Sequence, residues 1–220
     1  MIEAYQFVIQ HPQQLLTWVC DHMYISLVAI AAGVVIGLPM GIYITGNKRK
    51  QLADIVLSVA EIMMTVPSLA LFGLVMLLLS TLGLNAIGFL PAVLTLVFYG
   101  QLPILRNTYI AIQKVDPAMI EAGRGMGMND RQLLFRVKLP LALPVIMAGL
   151  RNAMVMIIGI TAIAALIGAG GLGVPIFRGL RNARIDLILI AGISVSVLAL
   201  VVDGLMALVE RWLIPKGLKG

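Results

Sequence analysis

Charge is scarce in this chain. Of its 220 residues only 12% are Asp, Glu, Lys or Arg, about half of the roughly 25% usual in soluble domains. That shortfall excludes an ordinary water-soluble globule. Cysteine is scarcer still. The lone Cys20 excludes an internal disulfide, and with no CxxC or Cys/His cluster there is no candidate metal site. Aromatic residues make up 6%, too few for a dense cage around a cation. The first 22 residues contain no Lys or Arg, so no cleavable signal peptide with a basic start is expected.

What the chain has instead is apolar length. It is 60% hydrophobic, with a mean hydropathy of +1.03, and runs of about 18 or more apolar residues read as membrane-spanning helices. Five such runs stand out: 23–44 (with an earlier start at Leu15 allowed), 55–80, about 86–112 with Pro91 and Pro103 inside it, about 141–167, and 186–210. Backbone groups in lipid must be satisfied within the segment, and none of the runs alternates like a strand, so each is read as a helix. The expected fold is an all-α polytopic membrane protein with about five transmembrane helices. Residues 1–22 form an external segment, 23–210 a transmembrane domain with a loop at about 114–140, and 211–220 a tail.

The net charge of +6 does not point to nucleic acid, because the basic residues sit in short clusters between apolar runs. Lys48, Arg49, Lys50, Lys114, Arg124, Arg131, Arg136, Lys138, Arg211, Lys216 and Lys219 fall on one side of a five-span topology. Only Arg178, Arg181 and Arg184 fall on the other. Positive charge favours the cytoplasmic side, so the N-terminus is predicted outside and the C-terminus inside.

The longest polar interruption lies at residues 114–140. Asp116 suits an N-cap and Pro117 the first helical position, with a stop at Gly127. Asn129 suits the cap of a second helix, with Gln132 completing a capping box, and Pro140 marks entry into the fourth span. Ala118, Ala122 and Gly125 form a small-residue stripe flanked by Met119 and Met126, a face suited to docking into a groove on a soluble partner.

Four charges fall inside the spans, away from their ends: Glu61, Arg106, Arg151 and Asp203, one each from spans two to five. Counting along the helices puts all four about 9–15 Å from the cytoplasmic boundary. Lone charges at such depths are costly, so a cluster is expected, with Glu61 paired to Arg151.

The run GAGGLG at 168–173 is not a Walker loop. That motif needs Lys and then Ser or Thr after its last glycine, and Val174 and Pro175 follow here. Nor does a strand precede it, as a dinucleotide loop requires. Gly168, Gly170, Gly171 and Gly173 are read as an irregular outer turn and a candidate outer gate. His11 and His22 show no partner arrangement for hydrolysis, and no catalytic set is visible. Trp18, Tyr24, Phe72, Phe98 and Tyr99 are available to touch a passing cation, but fit packing or interfacial roles better.

Glu121-Ala122-Gly123, then Gly127, then Val137-Lys138-Leu139-Pro140 is similar to the cytoplasmic coupling loop of binding-protein-dependent ABC importer permeases. Gly123 stands where that family usually has Ala. GLPMGI (37–42), VPSLALFGLV (66–75), LPILRNT (102–108) and IGAGGLGVPIFRGL (167–180) resemble the subfamily that carries glycine betaine, choline and carnitine. Methionine importer permeases share the GAGGLG element and are the alternative. The resemblance implies that Glu121, Ala122, Gly123, Gly127, Leu139 and Pro140 couple to an ATPase. It also implies a dimer of cytosolic ATPase subunits that use ATP and Mg, a second permease copy or paralogue, and an external binding protein. No cofactor is expected on this chain. A secondary transporter would prefer an inverted repeat, and none is evident.

Overall fold

The computed structural model describes residues 9–46 and 49–213. Lys48, Lys216 and Lys219, counted in the charge balance above, lie outside the described residues, as do residues 1–8 and 214–220. Most of the described residues are helical, with no strand among them.

The first helix, α1, spans Pro12–Tyr43. It begins at a proline, whose missing N–H costs nothing in the first turn. Residues 12–22, expected as part of an external segment, are therefore continuous with the first span. At 32 residues the helix is about 48 Å long, longer than a hydrocarbon core of about 30 Å requires.

The run at 55–80 is not one straight helix. It divides into α2 (Lys50–Thr65) and α3 (Ser68–Thr81), bent by 107°. The cause lies at Val66-Pro67. A proline pushes the residue before it out of the α region, and Val66 (ψ 128°) and Pro67 (ψ 134°) are both extended. The carbonyl of Val66, freed by the break, accepts a hydrogen bond from the Tyr99 hydroxyl.

α4 (Phe89–Gln113) is the hub. Its most apolar stretch is 61% buried, against 28–39% for the other three long spans. It packs against α1, α2, α3 and the long helix α7 (Leu139–Ala164). Two contacts depend on absent side chains. Along α1, Gly37 and Gly41 lie so close to α4 that a Cβ on them would meet Gln101 Oε1 at 2.7 Å and Thr108 Cβ at 2.8 Å. On α7, a Cβ at Gly149 would meet Asn107 Cβ at 2.5 Å. Small residues of this kind let membrane helices approach and gain dispersion where lipid offers no hydrophobic drive. Ile25, Phe72, Leu96, Met154 and Ile157 fill the centre.

Between α4 and α7 run α5 (Pro117–Gly125) and the single turn α6 (Asp130–Leu133). α6 does not stop before the membrane. It passes through a π-helical turn at Leu134–Lys138 straight into α7. Pro140 has no N–H to donate. The wider turn accommodates it, with the Leu139 N–H reaching back five residues to the Leu134 carbonyl. A short helix α8 (Gly173–Arg181) follows the glycine loop, and α9 (Ile185–Leu213) closes the chain against α7 and α8. Among the described residues four helices are thus long and apolar enough to cross a membrane, and the bent α2–α3 pair, apolar enough only when taken together, makes five if it is counted as one span.

Candidate functional site

The 114–140 segment forms a capped, exposed element at one end of the bundle. Asp116 caps α5 by accepting from the Ala118 N–H at 2.9 Å. Asn129 and Gln132 exchange two 2.9 Å bonds in a full capping box. Each cap of this type contributes about 1 kcal/mol. Between the two helices the chain reverses at Gly127, with φ +78°, a conformation glycine adopts without the Cβ penalty. Gly123 is the buried face of α5: a Cβ there would come 2.6 Å from Leu133 Cδ2. The opposite face is open. Ala118, Glu121, Ala122, Gly125 and Gly127 are all exposed, as are Met119 and Met126, the latter at 71%. A cleft of about 600 Å³ next to it is lined by residues including Ile42, Tyr43, Ile120, Arg124 and Phe135.

At the other end lies the glycine loop. Gly168, Gly170 and Gly171 all have positive φ. Gly173 is fixed by contact instead, since a Cβ would lie 1.8 Å from the Ala162 carbonyl oxygen. The loop is pinned by a residue that sequence reasoning passed over. His22 of α1 is fully buried. Its Nδ1 accepts from the Leu172 N–H (3.2 Å), so its Nε2 carries the proton and donates to the Ile158 carbonyl (2.9 Å). One turn on, Ser26 donates to Thr161 Oγ1 (3.0 Å), whose own proton goes to Ile157. The signal was a polar pair at i, i+4 inside an apolar helix. Replacing His22 by Leu orphans the buried Leu172 N–H, at about 1–3 kcal/mol. We expect a lower melting temperature of the detergent-purified protein for His22→Leu, and an unchanged one for the exposed Thr17→Ala.

The intramembrane charges pair differently from the expectation. Glu61 does not meet Arg151; it pairs with Arg106 at 3.1 Å. Arg151 instead grips Asp203 with two 2.8 Å bonds and reaches Glu210 at 3.0 Å. The reason is azimuth. Arg151 lies on the side of α7 that faces α9, while Glu61 on α2 lies where the Arg106 side chain of α4 reaches it. The four charges form two separate pairs, joining α2 to α4 and α7 to α9. Glu210 was missed, although its spacing of seven from Asp203 places both acids on one side of α9. Of the aromatics considered for cation contact, Trp18, Phe72 and Tyr99 are buried in packing. Tyr24 stacks on Phe89.

Residues 33–215 match the family described as "Binding-protein-dependent transport system inner membrane component". The chain belongs to this family. Among curated relatives, this permease is 39% identical to the osmoprotectant import permease protein OsmW of Salmonella typhimurium over 99% of its own length and 100% of that protein's. It is 42% identical to the carnitine transport permease protein OpuCB of Listeria monocytogenes, covering 92% of this chain and 88% of the relative. It is 38% identical to the choline transport system permease protein OpuBB of Bacillus subtilis, covering 97% and 95%. Among solved structures, inward-facing forms of the MetNI methionine ABC transporter superpose with a TM-score of 0.81 at 23% identity, over 92% of this permease and 97% of that chain. The last likeness establishes the fold alone.

Within the permease, the residues expected to couple are brought together only in part. Glu121, Ala122 and Gly127 lie on the open face of the 117–127 element, while Gly123 holds that element to Leu133. Leu139 and Pro140 belong to the root of α7 and are half-buried.

Proposed function

We propose that this permease is the membrane subunit of an ATP-driven importer that carries a small quaternary-ammonium osmoprotectant such as glycine betaine, choline or carnitine. The names of its curated relatives carry the substrate class; the open, doubly capped α5–α6 element carries the coupling role. Two ATPase subunits, using ATP and Mg, dock on the α5 helices of a permease pair, whose second member is a copy or a paralogue. An external binding protein delivers the solute. The 114–140 end faces the cytoplasm, in keeping with eleven basic residues on that side and three on the other. The glycine loop then faces outward, where its pinned turn serves as part of an outer gate.

ATP binding draws the two ATPases together and the two α5 helices with them, which opens the pathway outward. Hydrolysis returns it inward. The permease itself supplies no catalytic group to this cycle. A methionine-carrying permease is the second reading, supported only by a likeness of fold and the GAGGLG loop. Proteoliposomes holding the permease, its ATPase and its binding protein test the choice. With a panel of glycine betaine, choline, carnitine and methionine, we expect ATP-dependent uptake of at least one quaternary ammonium solute. Uptake of methionine alone, or uptake independent of ATP, contradicts the proposal.

The shortage of aromatic residues places tight recognition on the binding protein. Isothermal titration of the detergent-purified permease alone is therefore expected to show no affinity for these solutes tighter than about millimolar, roughly −4 kcal/mol. Micromolar binding would move specificity into the membrane subunit.

A further inference from the structure

α2 is divided lengthwise into three faces. Ala53 and Ala60 are buried, on the side that packs against α4. Leu52, Ile55, Val59 and Ile62 are exposed, and their spacing of three, four and three sets them on a second side, fit for lipid. Asp54, Ser58, Glu61 and Thr65 are exposed as well. Their spacing of four, three and four sets them on a third side, about 110° around the helix from the apolar one. This polar stripe runs about 16 Å along the axis, from near the start of α2 to the break before α3. Arg106 of α4 joins it through its ion pair with Glu61, and both side chains remain half exposed, at 55% and 48%.

A helix with one lipid-facing side has no reason to bear a second exposed side with two carboxylates. Ionisable groups at membrane depth face protein or water, not hydrocarbon. The stripe stays uncovered within the subunit. An ion pair this exposed is also weakly held, so it parts readily when another charged group approaches. The stripe with Arg106 holds two acids and one base, an excess of one negative charge that favours a cation.

We propose that Asp54, Ser58, Glu61 and Thr65, with Arg106, form one wall of the water-filled solute pathway, where the Glu61–Arg106 pair opens to take a passing solute. The Glu61 carboxylate faces the quaternary ammonium. That group has no N–H to donate, so the contact is purely electrostatic. The Arg106 guanidinium takes the solute's carboxylate in its planar fork. The proposal rests on the quaternary-ammonium reading above. It makes the two residues unequal in a way a structural ion pair is not. Glycine betaine and carnitine carry a carboxylate, and choline does not.

The test uses the reconstituted complex with its ATPase and binding protein. Arg106→Gln is expected to slow uptake of whichever carboxylate-bearing solutes the complex carries by roughly fivefold more than uptake of choline. Glu61→Gln is expected to slow every quaternary ammonium solute it carries. For a complex that carries only one solute class, the accessibility of the wall decides. Cys20→Ser removes the chain's single thiol, and in that background Ser58→Cys and Thr65→Cys are expected to react with a membrane-impermeant thiol reagent. Val59→Cys and Ile62→Cys are expected not to react. Wild-type complex that moves none of the three solutes overturns the functional reading. Wild-type complex that transports, but with Arg106→Gln and Glu61→Gln both without effect, or with 58 and 65 no more reactive than 59 and 62, overturns the wall.

Discussion

Ala122→Trp abolishes solute uptake and strips the ATPase from the purified complex, while the permease still inserts in the membrane at near wild-type level. That result is expected because Ala122 is exposed on the open face of α5 and no packing inside the subunit depends on it. An indole there holds the two surfaces apart by several ångströms, and docking that depends on close approach of small residues and methionines does not survive such a gap. Gly127→Trp should do the same with an added cost, since a non-glycine residue at φ +78° is strained by roughly 1 kcal/mol. Gly123→Trp is the contrasting variant. It strikes Leu133 from inside, so it should lower stability of the permease itself before it touches any partner. Pull-down of the ATPase with tagged permease, alongside a thermal melt of the permease alone, separates the two effects. Normal uptake by an assembled Ala122→Trp complex would remove α5 from the coupling surface.

The second large effect is at Arg151. Its guanidinium is shared between Asp203 and Glu210, with side-chain exposures of 30%, 34% and 19%. Removing one partner of a buried pair costs about 3–5 kcal/mol, and partial exposure reduces this to roughly 1–3 kcal/mol. Arg151→Met leaves two carboxylates without their cation between α7 and α9, so folded yield and melting temperature should fall sharply. Arg151→Met with Asp203→Leu should recover much of the loss, because one lone charge is gone and Glu210, near the end of α9, can reach water. The double-mutant cycle should give a coupling clearly different from zero. The same cycle between Glu61 and Arg151 should give none, since those residues contact different helices. Zero coupling at Arg151–Asp203 would mean that the pair does not hold α7 to α9.

The sequence disclosed this molecule unevenly, and the divisions follow physics. Local chemistry was legible. Asp116, Pro117, Gly127, Asn129 and Gln132 each took the predicted role, because capping depends on residues within three or four positions. Relative height along the bundle was legible too, since counting along a helix gives height and the charges matched in that way do meet in pairs, Glu61 with Arg106 and Arg151 with Asp203. Azimuth was not. Glu61 and Arg151 were matched by height, and only packing decides that Arg151 turns to α9. Proline was ambiguous for a related reason. Pro39, Pro103 and Pro144 lie within continuous helices, whereas Pro67 breaks one. At the break the Tyr99 hydroxyl from α4 takes the freed Val66 carbonyl, and that partner is 33 residues away. His22 was hidden in the same way, its two bonds reaching 136 and 150 residues along the chain.

Photo-crosslinking from the open face of α5 tests the central claim most directly. With p-benzoylphenylalanine at Met119 or Met126, both exposed, illumination of the assembled complex should yield permease–ATPase adducts. The same probe at Leu180 on α8, exposed at the opposite end, should yield none with the ATPase. An intact, transporting complex that gives no ATPase adduct from 119 or 126, or gives one from 180, would contradict the account.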